Sequence, residues 1–350
     1  HAPFELACRD AVYDLTRFED FWQVADRFAP GAFVPYVFNE KVYGIPETAD
    51  FNMVIYRKDI FQKLDIPVPD TWEELIGILP VLQHYGMNFS HNIATTDGYK
   101  WFYQTTPMIY QNGGKLYTED GMHTAIDQAR AVAGIKALGE LFAIYSVPAQ
   151  VSQFMDSFRY GILPIGIVNL ETYNLIANGA PELNRSYIAA GTGGLIFADT
   201  QKADQAWAFL KWWLGHEVQA EYAHTLQSTY GSENMWLPAN LEAIGDCALP
   251  TEHKLAILEQ LSYLRDVPRT PGQYMLERDL SNIWNAIAVD GKAVQPAIDE
   301  KILEINREIT KKMTDLGYLD NEGNLLREYN VRDVDWIQEN IEKHREEERQ

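Results

Sequence analysis

The sequence is poor in cysteine and has no cluster of metal-ligating residues. Among its 350 residues only Cys8 and Cys247 are cysteines, and no Cys-x-x-Cys spacing occurs. The eight histidines are scattered along the chain, with none at the spacing of a metal site. The sequence therefore predicts neither a disulfide scaffold nor a bound metal, and it predicts no cofactor.

Positive charge and long apolar runs are also scarce. Lys and Arg total 29 against 50 Asp and Glu, which gives a formal net charge of -21, and such a chain repels nucleic-acid phosphates and anionic membranes. No apolar run is long enough to cross a bilayer, and no signal peptide is recognisable, although the chain starts at His1 and not at methionine. We therefore expect no nucleic-acid partner and a neutral or cationic ligand.

Recognisable catalytic motifs are missing as well. No nucleophile elbow occurs, and GTGGLIF, residues 191–197, precedes a strand and lacks the Lys-Ser/Thr of a phosphate-binding loop. Glu47 and Asp50 could be the carboxylate pair of a glycoside hydrolase, but a three-residue spacing on an extended segment puts them on opposite faces. The sequence therefore predicts no catalytic residue.

Aromatic residues, in contrast, are abundant. Nine Trp, 19 Tyr and 15 Phe make up 12% of the chain, which is 46% hydrophobic and long enough for two domains with a large core. Most of these rings will belong to the core. The flat faces and polar edges of Trp and Tyr also suit stacking on sugar rings, so a carbohydrate is a candidate ligand.

Residues 41–75, KVYGIPETADFNMVIYRKDIFQKLDIPVPDTWEEL, are the most informative segment. Pro46 keeps the chain extended, and the polar residues at 47–52 lead into an apolar run, which predicts a buried strand with a polar mouth. A helix is expected over 58–64, and residues 70–74 open a capped second helix. This order of elements favours a binding cleft at the polar end of the strand.

Farther along the chain, helical and strand patterns alternate, which predicts an α/β fold. Residues 158–169, FRYGILPIGIVN, have the composition of an apolar strand, and residues 294–316 carry one apolar stripe at helical spacing. The C-terminal half is mostly helical, and the terminal run EKHREEERQ predicts a solvated, fraying helix end.

Together these segments resemble the extracellular solute-binding proteins of bacterial ABC importers, the maltose-binding-like family. The resemblance spans residues 13–319 and depends on the order of the motifs as much as on the motifs themselves. The motifs are YGIPETADFNMVIYRKDIF, PDTWEEL, IYQNGG, FRYGILPIGI, GTGGLIF with KADQAWAFLKWWLGHEVQAEYA, WLPANLEAI and VPRTPGQYMLERDL.

The resemblance implies a two-lobe periplasmic-binding-protein-like fold of type II, in which crossing strands join two α/β lobes that close on a ligand. The implied N-terminal lobe contains residues 1–49 and 191–245, the C-terminal lobe contains 50–190 and 246–330, and residues 331–350 form a charged helix or tail. The residues that the resemblance implies for the ligand site are Glu47, Thr48, Asp50, Phe51, Tyr103, Asn169, Tyr173, Trp236, Tyr274 and Arg278.

Two departures from the family pattern lead to further expectations. The family opens with a strand-helix-strand unit, and none precedes His1, so we expect an N-terminally truncated chain with an incomplete first lobe. Residues 181–186 run almost directly into Gly191, so we also expect a shortened return crossing.

In function, the resemblance implies a non-catalytic receptor that binds an oligosaccharide or other carbohydrate and delivers it to the permease subunits of an ABC transporter. Such a receptor is a monomer outside the membrane, either periplasmic or a cell-surface lipoprotein that is peripheral to the membrane. Two alternatives stay open: a sugar hydrolase that uses Glu47 or Asp50, and a module for peptides or other small solutes on the same fold.

Overall fold

The computed structural model describes residues 2–91, 100–148, 153–169, 186–231 and 234–349. Short 3-10 helices cover Leu15–Arg17 and Pro30–Tyr36. The α-helices of the described residues are α1 (Ala2–Ala7), α2 (Phe21–Ala25), α3 (Lys58–Leu64), α4 (Trp72–His84), α5 (Lys100–Gln111), α6 (Ala129–Ala143), α7 (Phe154–Arg159), α8 (Ala203–Trp213), α9 (His216–Tyr230), α10 (Leu241–Asp246), α11 (Thr251–Ser262), α12 (Gln273–Ala288), α13 (Val294–Asp315) and α14 (Val334–Glu348). No helix in these ranges is long and apolar enough to span a membrane.

The strands of the described residues are β1 (Val37–Phe38), β2 (Lys41–Val42), β3 (Ile45–Pro46), β4 (Asp50–Tyr56), β5 (Phe89–His91), β6 (Ile165–Asn169), β7 (Ser186–Ala190) and β8 (Gly193–Gly194). Four of them form the main sheet in the order β5-β6-β4-β7. Strand β5 runs parallel to β6, and the other neighbours are antiparallel. Two short pairs, β1 with β2 and β3 with β8, lie outside this sheet. The structure confirms the predicted α/β class, with a helix-rich C-terminal part.

Strand β4 is central to the sheet, and its alternating side chains separate two environments. Phe51, Met53 and Ile55 are buried in a core with residues of α7, α10 and α11. Val54 and Tyr56 lie on the opposite face and pack with residues of α4, α5 and α6. This period-two alternation is the pattern of a strand between two layers, and it confirms the strand that the sequence predicts between Phe51 and Tyr56.

The strand predicted at 158–169 is only partly correct. Residues up to Arg159 form the end of α7, and strand β6 begins at Ile165, directly after Pro164. Proline has no backbone N–H to give to a ladder, so it marks the start of the strand. Before it, Phe158 and Leu163 are buried in helix and turn, whereas Tyr160 and Ile162 are exposed. Composition alone does not distinguish such a segment from a strand.

The C-terminal helix α14 is docked on the molecule by its first turns, and its last turns, residues 342–347, are helical and mostly exposed, as the predicted solvated helix end requires; the fraying of that end stays a prediction. Ile337 and Ile341 are fully or almost fully buried and pack with α2, α8 and the 3-10 helix Pro30–Tyr36. The Arg345 guanidinium pairs with the Asp26 carboxylate across this contact. The apolar residues lie at helical spacing in front of the charged run, and the charges take the exposed side.

Candidate functional site

Two chain segments, 45–50 and 190–194, run side by side in opposite directions. They connect the short β3·β8 pair, which they contain, to the main sheet. The backbone N–H groups of Glu47 and Thr48 both donate to the Thr192 carbonyl oxygen, at 2.8 and 3.3 Å. The return segment is therefore complete enough to pair with the outgoing one, and strand β7 continues that pairing along β4. The expected shortening concerns residues 181–186, of which only Ser186 lies in the described part of the chain, so it stays a prediction.

Glu47 joins the crossing to helix α8. Its Oε1 accepts a hydrogen bond from Trp213 Nε1 at 2.6 Å, and its Oε2 accepts one from Thr192 Oγ1 at 3.1 Å. The Thr48 hydroxyl lies 2.8 Å from the Thr192 hydroxyl. Each carboxylate oxygen has a second lone pair, so Glu47 can hold the crossing and still accept a hydrogen bond from a ligand.

An aromatic ladder of Trp213, Tyr222 and Trp236 extends from Glu47. The ring centroids are 5.1 Å apart for Trp213 and Tyr222 and 5.0 Å for Tyr222 and Trp236, both edge to face. Gln219 is fully buried behind the ladder, where it donates to the Trp213 carbonyl oxygen at 2.9 Å and accepts from Trp236 Nε1 at 3.0 Å. The ladder is therefore a rigid, half-buried wall with polar ring edges.

The polar mouth of β4 lies where the crossing enters the sheet. Asp50 and Asn52 share one face of the strand, because side chains two residues apart do so. Asn52 is the cross-strand partner of Asn169, the last residue of β6, and β5 ends at the same edge of the sheet with His91. Ligands of open α/β sheets bind outside the carboxyl ends of such strands. This edge is therefore the natural position of a ligand site.

A groove of about 560 Å³ runs from this mouth along the same face of the sheet. Its volume is within the ordinary range for small-molecule sites. Aromatic and apolar residues alternate in its wall with amide and carboxylate groups. Its lining includes Asn52, Trp72, Phe89, His91, Gln104 and Gln260.

The groove has an aromatic floor, which we define as Trp72, Phe89 and His91. The Trp72 and His91 rings are nearly parallel with centroids 6.3 Å apart, and Phe89 meets both rings edge on. Trp72 Nε1 donates to Gln111 Oε1 at 2.8 Å, which fixes the indole. Burial lowers the pKa of His91 to about 4, so its imidazole is neutral at neutral pH.

The remaining predicted site residues are dispersed. Phe51 is 2% exposed and packs in the core behind the sheet. Tyr274 and Arg278 lie on α12 and bond side chains of α13, Glu308 and Glu304 respectively, and neither lines the groove.

Three predicted site residues lie, wholly or by their side chains, outside the described part of the chain. Tyr103 lies in the first turn of α5 and Asn169 at the end of β6, but the side chains of both are outside the described part of the chain. Tyr173 lies outside the described residues altogether.

Several residues of the site are not among those that the sequence predicts. Asn52 could have been found from its spacing, because it is two residues beyond Asp50 on a predicted strand. Trp213 stands in the motif KWWLGHEV, where helical spacing alone does not show which indole faces the crossing. His91 and Gln219 have no sequence signal, since their positions depend on contacts between distant segments.

The sequence matches the family model of bacterial extracellular solute-binding proteins over residues 18–220. The chain belongs to this family. Its members are solute receptors and not enzymes, which confirms the prediction of a non-catalytic protein. No curated protein matches the sequence closely enough to be counted as a relative.

Solved structures of solute-binding proteins share the fold. The sugar-binding protein MalE of Xanthomonas citri is 15% identical, with a TM-score of 0.71 over 88% of this chain and 81% of its own. The maltose-binding periplasmic protein of Listeria monocytogenes, in complex with maltose, is 17% identical, with a TM-score of 0.68 over 89% and 82%. A solute-binding protein of Thermotoga lettingae, bound to alpha-D-tagatose, is 16% identical, with a TM-score of 0.64 over 87% and 82%. These likenesses confirm the two-lobe fold of this solute-binding protein.

Proposed function

We propose that this solute-binding protein is the carbohydrate receptor of an ABC importer and that its ligand binds at the crossing. The proposal rests on one observation: polar acceptor groups and aromatic rings lie next to each other at the crossing. Carboxylates and an amide, on Glu47, Asp50 and Asn52, lie at the mouth of the sheet, and the ladder of Trp213 and Trp236 rises beside Glu47.

This combination suits a sugar better than other neutral solutes. Sugar hydroxyls donate to carboxylate and amide oxygens, whereas the C–H faces of a sugar ring pack on aromatic planes. The excess of acidic residues disfavours an anionic ligand. The Listeria protein was solved in complex with maltose and the Thermotoga protein with alpha-D-tagatose bound, which supports the same class.

The lobe boundaries, the delivery to a permease and the location outside the membrane are proposed from the family pattern. The lobes would be residues 1–49 with 191–245 and residues 50–190 with 246–330, and a sugar that contacts both would favour the closed arrangement. The closed monomer would then deliver the sugar to the permease subunits, from a periplasmic or lipoprotein-anchored position outside the membrane. Tyr103 and Tyr173 would contribute further rings to the cleft.

The hydrolase alternative loses support. Family membership argues against catalysis. Binding of peptides or other small solutes is separated from sugar binding by the experiment below.

The test is a thermal-shift screen of mono- and oligosaccharides and of short peptides, followed by calorimetry on Asp50→Asn and Tyr173→Ala. We expect a sugar, and no peptide, to raise the melting temperature. Since a hydrogen bond to a charged group contributes about 1.5–3 kcal/mol, Asp50→Asn should weaken binding by roughly tenfold or more.

Asp290→Asn, at an exposed position, is the matched control and should bind like the wild type. Stabilisation by peptides alone, or unchanged sugar affinity in both cleft variants, would overturn the proposal.

A further inference from the structure

We propose that the groove with the aromatic floor is a second sugar position, which receives an additional ring of an oligosaccharide whose first ring is held at the crossing. This inference rests on the proposed function and extends it: the preferred ligand would be an oligosaccharide and not a monosaccharide. Trp72 would supply the stacking surface, and His91 and Gln260 would bond the hydroxyls of the added ring.

The groove is continuous with the mouth of the sheet. Asp50, Asn52, Val54 and Tyr56 lie on one face of β4, and the last three line the groove. A ligand bound at Asp50 can therefore extend along the strand past Asn52 without leaving the protein surface.

The groove contains two buried polar atoms that have no hydrogen-bond partner among the described residues. His91 is 4% exposed, and its Nδ1 makes no hydrogen bond to any residue that the structure describes. Gln260 Oε1 is likewise buried and makes none within the described ranges. Both residues line the groove. A buried polar atom without a hydrogen-bond partner is unfavourable. A ligand hydroxyl that bonds it therefore contributes the full free energy of that hydrogen bond to binding.

The walls of the groove carry neutral and acidic polar side chains. The His91 imidazole is neutral at neutral pH. A neutral imidazole has one nitrogen that donates and one that accepts, so His91 can form a hydrogen bond with a ligand hydroxyl without a counter-ion. Gln104 adds an amide, and Glu73 and Glu259 add negative charge to the lining. Neutral hydroxyl groups match this set, whereas phosphate or carboxylate groups do not.

Calorimetry on sugars of increasing length tests the inference. The probes are glucose, xylose and galactose and their linear oligosaccharides of two to four rings, titrated into the full chain and into Trp72→Ala and His91→Asn. We expect the wild type to gain affinity when a ring is added and each variant to lose that gain, by about tenfold. Binding of the shortest ligand should be equal in all three proteins.

Tyr85→Ala, which removes an exposed ring at the other end of α4, is the matched control and should behave as wild type. If His91→Asn does not fold, Trp72→Ala decides, because Trp72 is only half-buried. Equal affinity of wild type and variants for the longer sugars would overturn the second position and leave the receptor function intact. Absence of binding by the wild type to every sugar would overturn both.

Discussion

Single polar residues determine the shape of the crossing. Gln219 illustrates how: its buried amide holds Trp213 by the backbone and Trp236 by the indole, so two rings of the ladder share one support. Glu47 then fixes the Trp213 indole against the return segment through Thr192. The rings are thus positioned before any ligand binds, which reduces the entropy that binding must overcome.

The burial of His91 makes stability depend on pH. Its pKa is about 4 in the folded chain and near the ordinary 6.5 in the unfolded chain. Between these values the unfolded chain binds a proton that the folded chain does not. The free energy of unfolding should therefore fall as the pH decreases from 6.5 towards 4, by up to about 3 kcal/mol from this residue.

Urea unfolding at several pH values in this window measures the effect. His91→Asn should show a weaker loss of stability towards acid than the wild type, whereas His224→Asn, at an exposed position, should follow the wild type. Identical pH profiles for the wild type and His91→Asn would contradict the account.

The sequence indicates the segment of the crossing more clearly than it indicates the groove. Glu47, Thr48 and Asp50 are recognisable because they interrupt an apolar strand next to a proline. Phe51 belongs to the same segment but faces the core, since side chains alternate along β4.

Among the elements, the paired crossing depends on one glycine. A Cβ atom at Gly191 would lie 2.2 Å from the carbonyl oxygen of Thr48. Real side chains do not approach a backbone atom so closely, so the two crossing segments can lie side by side only because this position has no side chain.

Gly191→Ala should therefore separate the crossing segments and lower the free energy of unfolding by about 1–3 kcal/mol. Chemical denaturation measures this change. Gly77→Ala is the control: it lies within α4 with open space around its Cβ position, and the helix should be unchanged or about 0.5–1 kcal/mol more stable. Equal stability of Gly191→Ala and the wild type would show that the crossing is looser than described.

Elements with a clear pattern are predicted correctly, and those that depend on tertiary contacts are not. The periodic helix α13 and the capped helix α4 follow their sequence signals. The return crossing is different: β8 consists of two glycines and gains its strand conformation from β3. No propensity of Gly193 and Gly194 could have indicated it.

The whole molecule is held together by contacts that join distant parts of the chain. Helix α14 packs with α2 and α8 and links to residues far earlier in the sequence through the ion pair of Arg345 and Asp26. The Arg265 guanidinium lies 3.5 Å from the Asp335 carboxylate at the start of the same helix. Helix α14 is therefore joined to the rest of the molecule, whereas most of the described side chains of its last two turns are exposed.

A two-lobe receptor works by a change in the relative orientation of its lobes. A ligand that touches residues on both sides of the crossing shifts the population towards the closed form, and the size of the shift depends on its differential affinity for the two forms. Binding at the crossing and closure of the molecule are therefore two aspects of one prediction.

Small-angle X-ray scattering, with and without a saturating concentration of the sugar that stabilises the protein most in the thermal-shift screen, tests the central claim most directly. We expect the radius of gyration to decrease when the sugar is present, because the two lobes close on it, and we expect Asp50→Asn to need more sugar for the same decrease. A radius of gyration that stays unchanged at full saturation would contradict a ligand held between the lobes at the crossing.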